Sequence, residues 1–255
     1  FSTALTADTT IYAKFDTSEH DKALSEDVKN PTFTETGKKN IWCACNKEKT
    51  TEEVDIPVLK DTIAPTGTIY LGGQSWSSTG TPAYKTDDEP ISIFVNKNSD
   101  IVITTNDKAD VDAKYNPSGA GSGVKIIRAF AFPAETVLTA ANYGAARQVA
   151  IEVFRDDTDA QNTNANYSVK VGAFSVAKLD EKGAPIYEDG KVVYEPLKDG
   201  ESYIIYYYVN DKAGNQLNRL VRTAKFTYDN TPAEITVAGD SNADTAASTV
   251  TYCGK

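Results

Sequence analysis

The sequence predicts an all-β protein whose strands stack as a sandwich of antiparallel sheets. Short runs rich in Val, Ile, Tyr, Phe and Thr recur along the 255 residues, separated by Gly, Pro, Asn and Asp. Many runs alternate with period two, so that Ile204, Tyr206 and Tyr208 take one face of a strand and Ile205, Tyr207 and Val209 the other. Helical periodicity is nearly absent between the runs, whereas a parallel sheet would need interleaved crossover helices.

Taken in order, strands are expected near 10–15, 40–46, 53–59, 67–71, 91–95, 100–105, 123–132, 147–154, 167–176, 185–188, 191–195, 202–210 and 219–228. Asp189-Gly190 between Ile186-Tyr187 and Val192-Val193-Tyr194 marks a hairpin, because a two-residue turn needs residues that accept positive φ. The one helix-tolerant piece is 134–147, with Ala134, Leu138, Ala140 and Ala141. The stretches 72–82 and 155–166 read as polar loops.

Composition narrows the function. Hydrophobic residues make up 40 % and charged residues 24 %, enough apolar material for a packed core. The formal net charge of −10 and the absence of a basic cluster argue against nucleic acid as a partner. No apolar run approaches the ~20 residues that span a bilayer, so no membrane insertion is expected. The chain opens at Phe1 with neither methionine nor a signal-peptide pattern, and is expected to be a piece of a longer polypeptide. Cys43 and Cys45 fall on one expected strand with parallel side chains, and Cys253 lies far away, so ordinary buried thiols are expected. With His20 the only imidazole, neither a zinc site nor a Ser–His or Cys–His pair has support. No pair of carboxylates stands out for glycoside hydrolysis. The expectation is a protein that is not an enzyme and carries no cofactor beyond a calcium ion.

Self-comparison reveals a repeat. Residues 40–69 and 202–237 each run from an aromatic-rich strand through an Asn-led turn with Lys to another strand, then to Asp, Thr and Pro. Domain boundaries therefore fall at Asp61–Pro65 and Asp229–Pro232. Residues 1–63 form the C-terminal part of a preceding small β module, 64–231 a central module, and 232–255 the start of a following one.

Three motifs in this order resemble the tandem bacterial Ig-like repeats of Gram-positive cell-surface proteins. They are Ser122-Gly123-Val124 opening a strand, Asn210-Asp211-Lys212-Ala213-Gly214-Asn215 after one, and Asp61-Thr62-Ile63-Ala64-Pro65-Thr66 at the junction. The resemblance covers about 64–237, and residues 5–15 are similar to the closing strand of a Listeria–Bacteroides repeat. It implies Ig-like β-sandwich modules in tandem, the central one enlarged beyond the usual ~100 residues by insertions in 72–90 and 106–121, or in 133–200. The first module departs from the pattern with Asn46-Lys47-Glu48-Lys49 in place of Asp-x-Ala-Gly-Asn. Tyr203 in Asp199-Gly200-Glu201-Ser202-Tyr203 resembles the tyrosine corner of such sandwiches.

On this topology the chain enters the central module at the pole that carries the B–C and F–G loops. Asp61 stands at that entrance, Asp107, Asp110 and Asp112 in the B–C loop, and Asp211 in the F–G loop. These five are the expected calcium ligands, since Ca²⁺ takes hard oxygen donors from several segments. Asp157, Asp159, Asn162 and Asn164 form a second acidic run, which lacks the glycine and terminal glutamate of an EF-hand. Trp76 with Tyr84, and Tyr143 beyond them, are candidates for a carbohydrate platform. No lysine lies on a plainly apolar strand face beside a carboxylate, as an intramolecular isopeptide bond would need. The expected role is a stalk, spacer or adhesin segment, extracellular, either attached to the cell wall or secreted, with neighbouring modules of the same polypeptide as partners. The alternatives are a module that binds glycan or a host surface protein, and an ancillary domain of a secreted carbohydrate-active enzyme.

Overall fold

The computed structural model describes residues 24–43, 52–79, 93–158, 161–163, 166–217 and 221–232. The strand expected at 10–15, the fourth position of the acidic run (Asn164), and the beginning of a following module at 233–255 lie outside them.

Among the described residues the chain is an all-β sandwich with one short helix. β1 (Leu24–Lys29), β2 (Gly37–Trp42) and β3 (Glu52–Ile56) form an antiparallel three-stranded sheet of their own. A linker, 57–65, leads from it to β4 (Thr66–Leu71), β5 (Gln74–Ser77), β6 (Ile93–Val95), β7 (Asp100–Asn106) and β8 (Val124–Pro133). Helix α1 (Ala140–Gln148) follows, then β9 (Ile151–Arg155), β10 (Asn166–Lys170) and β11 (Ser175–Ala177). The chain ends with β12 (Tyr187–Glu188), β13 (Lys191–Val192), β14 (Tyr194–Pro196), β15 (Ser202–Asp211), β16 (Val221–Arg222) and β17 (Phe226–Tyr228).

Two sheets face each other. One has the order β10-β7-β4-β5; the other has β6-β17-β15-β8-β9, with β16 also pairing to β15. The core between them combines Ile69, Leu71, Ile101 and Ile103 from the first with Ile127, Ala129, Ile205 and Tyr207 from the second, all nearly inaccessible to water. Burial of each such large side chain contributes about 1.5–3 kcal/mol, and this core is what fixes the sandwich.

Alternation in β15 is resolved as expected: Ile205, Tyr207 and Val209 enter that core, and Ile204 and Tyr206 face outward. The outer face is nevertheless covered. Phe130, Phe132, Ile204 and Tyr206 form a second apolar cluster under α1, to which Ala146 and Tyr143 add. Tyr143 meets Phe130 edge-on at 5.5 Å, and Phe130 stacks on Tyr206 at 5.8 Å. Helix α1 starts at a capping box, in which the Thr139 hydroxyl accepts from the Asn142 N–H and the Asn142 side chain accepts from the Thr139 N–H. The buried Asn142 amide also donates to the Gly183 carbonyl, tying the helix to the arm that carries β12 and β13. Within 133–200, helix α1 is therefore a cap on the outer face of one sheet.

Several expectations are sharpened or corrected. The helix begins at Ala140, six residues later than 134, because the cap at Thr139 sets its start. It occupies 147–148, so the strand expected from 147 begins only at Ile151. The run 167–176 breaks into β10, a 3-10 turn at Val171–Ala173 and β11. Residues 74–77, expected within a loop, are β5, which returns on β4 after the positive-φ pair Gly72-Gly73. β1 has no apolar alternation and was not expected; it forms through main-chain pairing with β2.

The hairpin at Asp189-Gly190 is present with both residues at positive φ, 47° and 76°. Tyr203 makes a tyrosine corner: its hydroxyl accepts from the Lys198 N–H at 2.8 Å. Cys43 corrects the cysteine expectation, since it is disulfide-bonded. β2 ends at Trp42, so Cys43 lies past the strand and the argument from parallel side chains does not reach it.

Candidate metal centre

Three carboxylates from remote segments meet at the pole where the linker enters the sandwich. Asp61 belongs to the linker, Asp107 follows β7 directly, and Asp211 is the last residue of β15. One oxygen of each lies within 4.8 Å of the others, and all three residues are buried, Asp107 to 1 % and Asp211 to 0 % exposure.

Backbone geometry aims them. Asp61 Oδ1 accepts from the Ile63 N–H at 3.1 Å in a tight local turn, and its Oδ2 accepts from the Ser122 N–H at 2.7 Å. Asp107 Oδ2 accepts from the Gly123 N–H at 2.7 Å. Asp211 Oδ1 accepts from the Asn215 N–H, and its Oδ2 from the Asn215 side-chain amide, both at 2.7 Å. That amide also donates to the Asp61 carbonyl at 3.1 Å. Gly121 donates its N–H to the Asp107 carbonyl, and a β-carbon there would collide with the Asp107 carboxylate. Glycine is needed at 121 for that close approach. Gly123 at φ 104° needs the same freedom for a conformational reason.

The electrostatics are unfavourable for the bare cluster. Burial pushes the Asp107 carboxyl up to about 7; the Gly123 bond opposes this, and the charges of Asp61 and Asp211 add to it. Burial likewise raises Asp211, against the bonds from Asn215. Asp107 Oδ1 is buried and has no hydrogen-bond partner. Among the described residues no lysine or arginine pairs with any of the three. The nearby Lys212 is engaged by Asp156 at 2.9 Å instead.

Of the five expected ligands the structure thus unites Asp61, Asp107 and Asp211 and leaves out Asp110 and Asp112. The reason is the course of the loop between β7 and β8. Asp112 opens a turn, in which its Oδ1 accepts from the Lys114 N–H and its carbonyl from Tyr115 and Asn116, and both Asp110 and Asp112 are exposed. Sequence reasoning missed Gly121 and the supporting roles of Ser122, Gly123 and Asn215. The motifs containing the last three were visible, but as family signatures rather than as a carboxylate cradle.

Of the other candidates, Trp76 pairs with Ile69 and is half-buried against the main core. Tyr143 packs on the separate outer cluster, so these two rings form no common platform. Tyr84 lies outside the described residues, as do His20 and Asp159. In the second acidic run Asp157 is exposed, and the Asn162 amide donates to the Tyr167 hydroxyl at 2.7 Å.

The sheets and the buried carboxylate cluster at one pole define the class: an all-β sandwich with a polar cluster that tethers the incoming linker. The chain matches no family model and no curated protein. No helix among the described residues is long and apolar enough to cross a membrane.

Proposed function

We propose that this chain is a non-catalytic extracellular segment of a bacterial cell-surface protein, serving as stalk, spacer or adhesin segment between neighbouring modules. The observation that carries this reading is the placement of the two ends of the sandwich. The linker arrives at Asp61 beside Asp211 and Asn215, at the C-terminal end of β15. The chain leaves at 229–232 beside Asp199 and Gly200, at the other end of the same strand, where the Gly200 N–H donates to the Tyr228 carbonyl at 2.8 Å. A strand of ten residues separates the two by ~30 Å. Such a module extends a polypeptide instead of folding it back.

Both ends use the same local device. Asp61 Oδ1 accepts from the N–H of Ile63, and Asp229 Oδ1 from that of Thr231, each two residues on and each at 3.1 Å. Repetition of one turn at both boundaries supports modules in tandem. The disulfide at Cys43 supports an oxidising, extracellular setting.

Immunolabelling of intact cells of the source organism with antibody raised to this chain tests the reading. Labelling that is removed by external protease is expected; labelling only after permeabilisation would overturn it. A second reading, a module presenting a glycan- or host-protein-binding arm, is favoured by Tyr187, 60 % exposed on the β12–β13 hairpin. Binding to a glycan or host-protein array that is lost in Tyr187→Ser would move the assignment there.

A further inference from the structure

We propose that Asp61, Asp107 and Asp211 bind a single Ca²⁺ ion, which clamps the linker onto the B–C and F–G loops of the sandwich. This inference goes beyond the spacer reading and stands without it.

Two independent observations point to the ion. First, the oxygens lie within 4.8 Å of one another. Two oxygens on opposite sides of a Ca²⁺ at its usual ~2.4 Å stand ~4.8 Å apart, so all three fit one coordination sphere. Second, Asp107 Oδ1 is a buried carboxylate oxygen with no hydrogen-bond partner, on a residue 1 % exposed that faces the other two carboxylates. Its companion Oδ2 is held by Gly123, so the rotamer is set and the open oxygen is left for a ligand. A buried polar atom in this condition requires an explanation, and a cation supplies one. Among the described residues no basic side chain pairs with the three carboxylates, and a cation from solution would balance them.

The donor set selects the ion. All-oxygen ligands disfavour zinc, which takes Cys and His. Mg²⁺ dehydrates reluctantly and keeps several waters, a poor match to three buried protein carboxylates, whereas Ca²⁺ accepts an irregular sphere of six to eight oxygens. The ion would bridge a linker residue to two loops of the sandwich, and so make the junction stiffer when bound.

The test is calorimetric titration of CaCl₂ into the chelator-treated 255-residue chain, paired with melting curves in calcium and in chelator. One binding event is expected in the wild type that is missing in Asp107→Asn. At a hundredfold excess of calcium over its dissociation constant the wild type should melt ~5–10 °C higher than in chelator. Asp107→Asn makes the outcome distinctive. It keeps an oxygen for the Gly123 N–H, adds a donor among the carboxylates and removes a repelling charge, so in chelator it should melt no lower than wild type. In calcium it should melt lower. The order of the two proteins thus reverses with the ion. Equal stoichiometry in wild type and variant, or no calcium-dependent melting in the wild type, would overturn the site and leave protons shared among the carboxylates. An equal shift with MgCl₂ would overturn the choice of Ca²⁺. A variant less stable by the same amount in both conditions would mark Asp107 as a structural hydrogen-bond acceptor only.

Discussion

The side-chain amide of Asn215 donates to the main-chain carbonyl of Asp61 at 3.1 Å, joining residues 154 positions apart. The same amide nitrogen donates to Asp211 Oδ2 at 2.7 Å. One side chain thereby latches the incoming linker to the end of the central strand, and it does so through the Asn of the Asp-x-Ala-Gly-Asn motif.

Asn215→Ala removes both bonds and leaves a buried carbonyl and a buried carboxylate oxygen short of a donor. A loss of about 1–3 kcal/mol is expected in urea unfolding, with cleavage within 57–65 becoming faster under limited proteolysis. Unchanged proteolysis would mean that the latch does not hold the linker.

Tyr203 is 1 % exposed, and burial pushes its hydroxyl up to about 12, so it acts as a neutral group at any physiological pH. Tyr203→Phe retains the ring in the core and strips the acceptor for the Lys198 N–H together with the hydroxyl's bond to Glu201 Oε2 at 3.1 Å. The expected cost is about 1–2 kcal/mol. For a module of this size that is a drop of a few degrees in Tm, at ~2–4 °C per kcal/mol.

Asp156 carries a charge-dependent contribution. Its bonds with the Lys212 ammonium and with Thr158 hold the carboxyl down at about 2, below the ~3.9 of an unfolded chain. A depressed folded value means that the stabilisation is present above pH ~4 and is lost as the pH falls towards ~2. Asp156→Asn should therefore melt lower than wild type at pH 7, with the gap closing as melting curves are repeated towards pH ~2. A gap that is constant with pH would assign the effect to packing.

Thr139→Ala tests whether α1 is held by its cap. Loss of the hydroxyl acceptor should cost about 1 kcal/mol. Hydrogen exchange should quicken across 140–148 while the amides of β8 and β15 keep their protection. If β8 loosens as well, the helix and the sheet it covers unfold as one unit.

The strands with apolar alternation were legible in the sequence. β4, β7, β8 and β15 fall within a residue or so of expectation, because each has one face committed to a core and period two records that commitment. β1 was not legible, because its six residues are mostly exposed and its order comes from main-chain bonds to β2. β5 was hidden in a polar stretch for a similar reason: only Trp76 turns inward, and Ser75 and Ser77 look like loop residues until β4 lies beside them. The start of α1 was obscured because alanines at 134, 140 and 141 give no boundary, whereas the Thr139–Asn142 capping box does.

For the candidate metal centre the division is sharper. The sequence by itself placed Asp61, Asp107 and Asp211 beside strand ends, since alternation places the strands, and the resemblance to Ig-like repeats implied that those ends share a pole. It also determined the Asp189-Gly190 turn and the division of β15 into two faces, though not which of them enters the core. Only the tertiary structure decided that Asp110 and Asp112 are drawn off into a solvent-facing turn while the other three converge. It likewise decided that Gly121 leaves room for a carboxylate and that one oxygen of Asp107 remains without a donor. Convergence within 4.8 Å depends on loop backbone paths and on which N–H groups meet which oxygens. Those are long-range facts, set by how two sheets pack, and no periodicity along the chain encodes them.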